Sequence, residues 1–336
     1  MEFWSETTFW RRKVFMEPWG DVADNPGRFR SRDVIEVQTG YREETLDRLY
    51  SSARQHFERY RDKTGSLVKR TTEVWKSQHY FYIFFQYIHV YSAAVCDAIQ
   101  DVCRTSKLKD NRAVPTSTFY QVILKSAVEW SLTIDFIDFK ERLMYDNHHP
   151  LFPSLFTTIW DTTKLAVQQP GQQGVFRLVH NGHYDGDCFL VLLGVTFTGH
   201  LVSYNGLHRP TAYDAHIFDD TTHLHPQHPS EMNIGDCHFS TCANFATPAP
   251  KPPGQHRSIQ DQIWNNYLQL PRSRIETMNT VFKNHGMFKK GGVFRGQVNH
   301  LAVYAKITAH ATAVELRVRR EQDGPRYRPY GWWPHY

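Results

Sequence analysis

Three acidic side chains, far apart along the chain, have the types and surroundings for metal chemistry. Asp161 follows the apolar, β-prone run of "LFTTIWDTTKLAVQQP", Asp236 ends the strand-like stretch of "EMNIGDCHF", and Glu276 lies in "PRSRIETMNTVFKNHG", a helical sequence entered by Pro271. Carboxylates at neighbouring strand ends, joined by one from a nearby helix, supply the hard oxygen ligands that a pair of divalent cations needs for phosphodiester chemistry. Arg272, Glu276 and Lys283 follow at steps of four and seven, so all three project from one helix face. An acid flanked by cations suits a metal-and-phosphate site, and it suits an ordinary surface ion-pair row as well. Asp161 also has a plain reading, as a turn acid facing solvent. Asp214, one helix ahead of Asp236, is placed to support a ligand from behind. Asp185 and Asp187 in "HYDGDC" read as solvent-facing turn acids, and Asp219 and Asp220 as solvation of a helix end.

The elements that must hold these residues are an α/β arrangement. Residues 1–40 carry Pro18, Gly20, Pro26 and Gly27 and read as an irregular arm. Residues 41–149 read as a helical region. Leu46, Leu49, Ala53, Phe57 and Tyr60 recur at steps of three and four through "EETLDRLYSSARQHFERYRDK", and an aromatic helix is expected over 79–103. Pro115, Thr116 and Ser117 then open an amphipathic helix bearing Phe119, Val122, Ile123, Ala127 and Trp130, so residues 92–130 form a candidate helix-turn-helix. The alternative is a pair of packed helices with no DNA contact. From about 150 the composition turns to strands: "LFTTIW", "GVFRLVHNG", "CFLVLLGVTF" and "HLVSYNG", split by Asp-Gly-Asp and Thr-Gly turn signals. "TAYDAHIFDD" reads as a short helix, "ATPAPKPPGQH" as a loop, and "IQDQIWNNYLQL" and "RSRIETMNTVFKNHG" as two helices. Strands, helix, strand and helices make residues 150–310 a mixed-sheet domain in which Asp161 and Asp236 end different strands. Residues 311–336 form a basic and aromatic tail.

Composition bounds the rest. A chain of 336 residues that is 40% apolar and 14% aromatic can bury a real core, which excludes wholesale disorder. Charge is uneven: residues 1–150 balance at +1, 151–270 at −4 and 271–336 at +8. An acidic middle beside a basic end fits a carboxylate metal site next to a phosphate-gripping surface, and it also fits solvated faces. Five cysteines are too few and of the wrong parity for a disulfide framework, so a reducing compartment is expected. The opening "MEFWSETTFWRRK" has no apolar core of the secretory kind. The most apolar segment, 79–99, is interrupted by Gln86, His89 and Asp97, so a buried helix is expected rather than a membrane span.

The order of the acids and the blocks around them carry a resemblance. From about Pro150 to Ala305 the chain resembles the Harbinger-like DDE transposases, and more distantly the bacterial insertion-sequence transposases. "HPLFPSLFTTIWDTTKLAVQQP" is similar to the family's stretch around its first aspartate, "GLHRPTAYDAHIF" to the helix before its second acid, and "MNIGDCHFSTCANFATPAPKPP" to the second-aspartate block. "RSRIETMNTVFKNHGMFKKGGVFRG" is similar to the third-acid helix, with an arginine four before the glutamate and a lysine seven after. The resemblance implies an RNase H-like catalytic core, with Asp161, Asp236 and Glu276 as catalytic, metal-binding residues. It implies two divalent cations, Mg²⁺ or Mn²⁺, and strand cleavage followed by strand transfer at transposon ends. Arg272 and Lys283 would hold phosphates, and Lys289, Lys290 and Arg295, followed by Arg317, Arg319 and Arg320, would continue the DNA track. It further implies a nuclear protein (cytoplasmic if bacterial), working as a homodimer with a separate DNA-binding partner.

Two other classes remain in view. One is a domesticated, non-catalytic DNA-binding protein on the same scaffold. The other is a zinc module built on His223, His225, His228, Cys237, His238 and Cys242, although no CxxC pair is present. Neither a GxSxG elbow nor a GxxxxGK[ST] loop occurs, so neither a serine hydrolase nor a nucleotide hydrolase is expected.

Overall fold

Apolar residues at steps of three and four dominate the first third of the chain, and in the computed structural model they form helices. It describes residues 31–61, 67–69, 74–91, 98–106, 113–144, 156–167, 180–181, 186–221, 228–254, 256–289 and 293–323. Two compact units emerge, residues 1–134 with 283–292, and residues 135–282 with 293–336.

The first unit holds α1 (Ser31–Thr39), α2 (Glu43–Glu58), the hairpin β1 (Arg59–Arg61) and β2 (Leu67–Lys69), α3 (Val74–Val90), α4 (Ala98–Thr105) and a helical run through Thr116–Thr118 and Phe119–Leu124 into α5 (Lys125–Leu132). Leu46, Leu49, Ala53 and Phe57 of α2 are buried, and residues 77–85 of α3 are buried without a break. A helix apolar on every side belongs in a protein interior. Phe81 is the hub, 5.5 Å from Phe57, 5.0 Å from Phe85 and 5.6 Å from Trp130 between ring centroids. Residues 283–292 return to this unit by backbone pairing: Gly286 N donates to His89 O at 2.9 Å and Met287 N to Ile88 O at 3.2 Å. A Cβ on Gly286 would lie 2.3 Å from Tyr91 O, so only glycine permits that approach.

Several sequence expectations change here. The arm expected over 1–40 contains α1, because Ile35, Gln38 and Thr39 are buried. Helix α2 stops at Glu58, short of the expected run through Tyr60, and Arg59–Arg61 pairs with Leu67–Lys69 instead. The aromatic helix expected over 79–103 ends at Val90, and a separate α4 begins at Ala98. Of the candidate helix-turn-helix at 92–130, residues 92–97 and 107–112 lie outside the described residues. Phe119, Ile123, Ala127 and Trp130 are buried as the spacing requires.

The second unit begins with α6 (Phe139–Met144), then β3 (Phe156–Ala166), β4 (His180–Asn181), β5 (Gly186–Val195), β6 (Leu201–His208), α7 (Asp214–Thr221), β7 (Met232–Ile234), a 3₁₀ turn (Cys237–Phe239), β8 (Phe245–Ala246), α8 (Ile259–Phe282) and α9 (Val298–Asp323). The five main strands lie in the order β6-β5-β3-β7-β8, and β4 pairs with the start of β5. β3, β5 and β6 are antiparallel neighbours, while β7 runs parallel to β3 and β8 to β7. This is a mixed sheet with helices on both faces. Trp160 packs on Phe218 of α7, whereas its neighbour Asp161 meets Asn279 of α8, and successive strand residues point to opposite faces. Tyr204, which lies across β5 from Asp161 through Leu193, donates to Ala302 O of α9. So α7 covers one face, and α8 and α9 the other.

Under α7 the core is Trp160, Leu190, Leu192, Ala215, Ile217, Phe218, Phe239 and Cys242. Gly194, paired with Trp160, leaves room for the indole, because a Cβ there would lie 2.8 Å from the ring. A buried ion pair ties α6 to the sheet. Arg142 is bidentate on Glu231 at 2.7 Å, with side chains 2% and 0% exposed, and Thr157 and Thr158 also hydrogen-bond Glu231.

The strand expected to stop before Asp161 continues to Ala166, because Thr162, Thr163 and Leu165 keep pairing with β5. The two helices expected on either side of Pro271 are one, α8. Leu268, Pro271, Ile275, Met278 and Phe282 make one buried stripe through the proline, and that packing outweighs the lost backbone bond. The boundary expected at 310 falls inside α9, whose alanine-rich middle is buried. Of "GVFRLVHNG", only His180–Asn181 is described as strand.

Candidate functional site

The side of the sheet where β3 and β7 run parallel gathers three carboxylates. Asp161 sits at the middle of β3, opposite Leu193 of β5. Parallel pairing of Ile159 with Ile234 carries Asp236, two residues beyond β7, to its level. Asp236 stays there because it caps the 3₁₀ turn that follows, accepting from His238 N at 2.8 Å. Asp214 is the first residue of α7 and is anchored by Thr162 Oγ1, which donates to Asp214 Oδ1 at 3.0 Å. Ligand oxygens of Asp161, Asp214 and Asp236 all lie within 4.8 Å of one another. Two unit charges that close repel by roughly 3–4 kcal/mol at an effective dielectric of about 20.

That repulsion is written into the acidities. Burial first, and then the carboxylates of Asp236 and Asp214, push Asp161 up to about 7, while Arg272 and the Thr162 N–H pull it down. Burial also raises Asp214, with Asp236 adding to it and the Thr162 hydroxyl and His238 opposing. Carboxyls raised by burial and like charges are common in functional clefts, and structural charge networks raise them as well.

Helix α8 supplies the opposing wall. Asn279 Nδ2 donates to Asp161 Oδ2 at 2.7 Å, and Arg272, seven residues earlier, acts on the same carboxyl. Residues seven apart on a helix differ in direction by only about 20°. Glu276, the third acid expected from the sequence, belongs to no cluster of three or more ligand groups among the described residues. Its side chain is 59% exposed and pairs with Arg272 at 3.9 Å. Asp214, expected behind Asp161 and Asp236, has a carboxylate oxygen level with theirs, because α7 begins beside Thr162.

No family model, curated protein or solved structure matches the chain.

Of the expected phosphate contacts, Arg272 alone is tied to the carboxylates by the interactions above. Lys283 directly follows α8, Lys289 and Arg295 are exposed, and Lys290 lies outside the described residues. Lys283 and Lys289 belong to the first unit and Arg295 to the second. Asp219 and Asp220 are exposed at the end of α7, and Asp187 lies in β5, past the turn expected for it. Among the described residues, the groups named for zinc come together only at Cys237 and His238. His228 stacks on Phe139 at 4.7 Å, and its Nδ1 accepts from Ser230 N. Burial pushes the Cys242 thiol up to about 12, and its Sγ faces Ala215 O. His223 and His225 lie outside the described residues. Asp236, Cys237 and His238 do form a close trio, but they are consecutive residues of one exposed turn.

Asn279 and Asp214 are the groups that sequence reasoning undervalued. A buried amide carries no spacing signal of its own. The one available clue was that Asn279 falls seven residues after Arg272 on the same helix face.

Proposed function

We propose that this protein cleaves and transfers DNA strands, using divalent cations held by Asp161, Asp214 and Asp236. The observation that supports this most is the convergence of three carboxylates from a mid-strand position, a helix start and the end of a parallel strand, on a sheet ordered β6-β5-β3-β7-β8. That strand order, with three antiparallel members followed by two parallel ones, supports an RNase H-like fold and the likeness to Harbinger-like DDE transposases. The donor set fits the cation: all the ligand atoms are hard oxygens, as Mg²⁺ and Mn²⁺ favour, and their crowding is relieved by positive charge. Bound there, the ions would activate water or a 3′-hydroxyl and stabilise the departing oxygen. The protein's own groups position the reaction. Arg272 faces the acidic cluster, where it would hold a non-bridging phosphate oxygen. The Thr162 hydroxyl and the Asn279 amide fix two of the carboxylates. On the same likeness the protein works in the nucleus as a dimer, with a separate DNA-binding partner. Among the described residues no helix is long and apolar enough to cross a membrane.

Nicking of supercoiled plasmid in Mn²⁺, wild type against Asp161→Asn, tests the proposal. Wild type should convert plasmid to the open circle, and the variant should lose at least about a hundredfold in rate while binding DNA as before. One observation favours a second reading, a DNA-binding protein without catalysis: Glu276 stands apart from the cluster. On that reading wild type binds DNA and nicks no faster than the variant.

A further inference from the structure

We infer that Asn279, rather than Glu276, is the side chain α8 contributes to the cation site, its Oδ1 serving as a neutral fourth oxygen ligand while Nδ2 holds Asp161. The inference rests on the carboxylate reading above and refines it.

The amide is built into the site. Asn279 is 9% exposed, and its Nδ2 donates to Asp161 Oδ2 at 2.7 Å. Its Oδ1 is buried and has no hydrogen-bond partner among the described residues. A buried carbonyl oxygen without a partner is unfavourable, so such groups nearly always meet a donor or a cation. Oδ1 shares its carbon with the nitrogen bonded to Asp161, so it lies at the edge of the acidic cluster. The groups gathered there are themselves acceptors, and a cation would satisfy Oδ1 and the three carboxylates together. Asn carbonyl oxygens are ordinary ligands for hard divalent ions.

Glu276 fits the role less well. It lies about 60° around the helix from Asn279, out in solvent beside Arg272. Bringing it in would add a fourth negative charge beside three carboxylates whose oxygens already lie within 4.8 Å of one another. An amide adds an oxygen without adding charge.

Mn²⁺ titration calorimetry on the full-length protein decides the matter, with circular dichroism confirming the fold of each variant. Asn279→Ala should weaken Mn²⁺ binding by about tenfold or more, and Glu276→Gln should stay within about twofold of wild type. Asn279→Leu, which keeps the branched shape but removes the oxygen, should weaken binding as much as Asn279→Ala does. Asn279→Ala binding as wild type does, or Glu276→Gln weakening binding tenfold, would overturn the inference while leaving the carboxylate reading standing. Should the alanine variant not fold, Glu276→Gln and Asn279→Leu still decide by the same thresholds. If wild type and Asp236→Asn bind Mn²⁺ equally poorly, the carboxylate reading itself falls, and the inference with it.

Discussion

A carboxylate in the middle of a well-paired strand is unfavourable unless something compensates for its charge, and at Asp161 part of that compensation is missing from the protein alone. The free side chain ionises near 3.8 and the folded one near 7, so the folded state binds the proton more tightly. This contribution to stability is complete below about 4 and is lost as pH rises through 7. Without divalent cations, then, Asp161→Asn should raise the Tm at pH 8 by a few degrees and make little difference at pH 4. Thermal melts in chelator check this, and a variant melting below wild type at pH 8 would contradict it. Adding Mn²⁺ should stabilise wild type more than the variant. Asp161 and Asp236 were legible in the sequence because each interrupts or ends an apolar run, where an acid is conspicuous. Asp214 was visible only as a neighbour, since a helix-start aspartate is an ordinary cap. Only its place seven residues after Arg272 distinguishes Asn279 from any other asparagine on a helix.

At the level of elements, alternation and helical spacing were sufficient to locate β3, β5, β6, α7 and α2, because each buries one face against a continuous core. Pro271 misled, since a breaker reads locally as a helix start, while the stripe from Leu268 to Phe282 is visible only once the packing surface is known. β8, two residues long, is too short for any periodicity, whereas the three residues of β7 fall within the strand-like stretch before Asp236. The attachment of α6 was equally hidden, for it depends on Arg142 meeting Glu231 across 89 residues. Removing one partner leaves an uncompensated buried charge, so Glu231→Gln should destabilise the protein by roughly 3–5 kcal/mol. The double variant Arg142→Met/Glu231→Gln should recover part of that loss. Urea unfolding followed by tryptophan fluorescence measures both, and a single variant as stable as wild type would remove the ion pair's structural role.

Over the whole molecule the sequence indicated a helical part to residue 149 and a strand-rich part from 150, and the structure divides between residues 134 and 135. It did not indicate that residues 283–292 return to the first unit, because that return depends on His285 and Gly286 meeting α3. The His285 ring lies 4.5 Å from that of Tyr41 at a tilt of 31°, and burial together with His89 lowers its pKa to about 3. His79 is lowered by burial to about 4. A histidine depressed in the folded state stabilises fully above its unfolded value of 6.5 and loses that contribution as pH falls. Each should therefore cost the protein about 2 kcal/mol between pH 7.5 and pH 5. Urea midpoints at the two pH values test this, and an unchanged midpoint would contradict it. The central claim is that Asp161, Asp214 and Asp236 together hold a divalent cation. Anomalous diffraction from crystals soaked in Mn²⁺ tests it most directly. The account predicts a peak about 2.0–2.6 Å from oxygens of all three; no peak there, with manganese ordered elsewhere or nowhere, would contradict it.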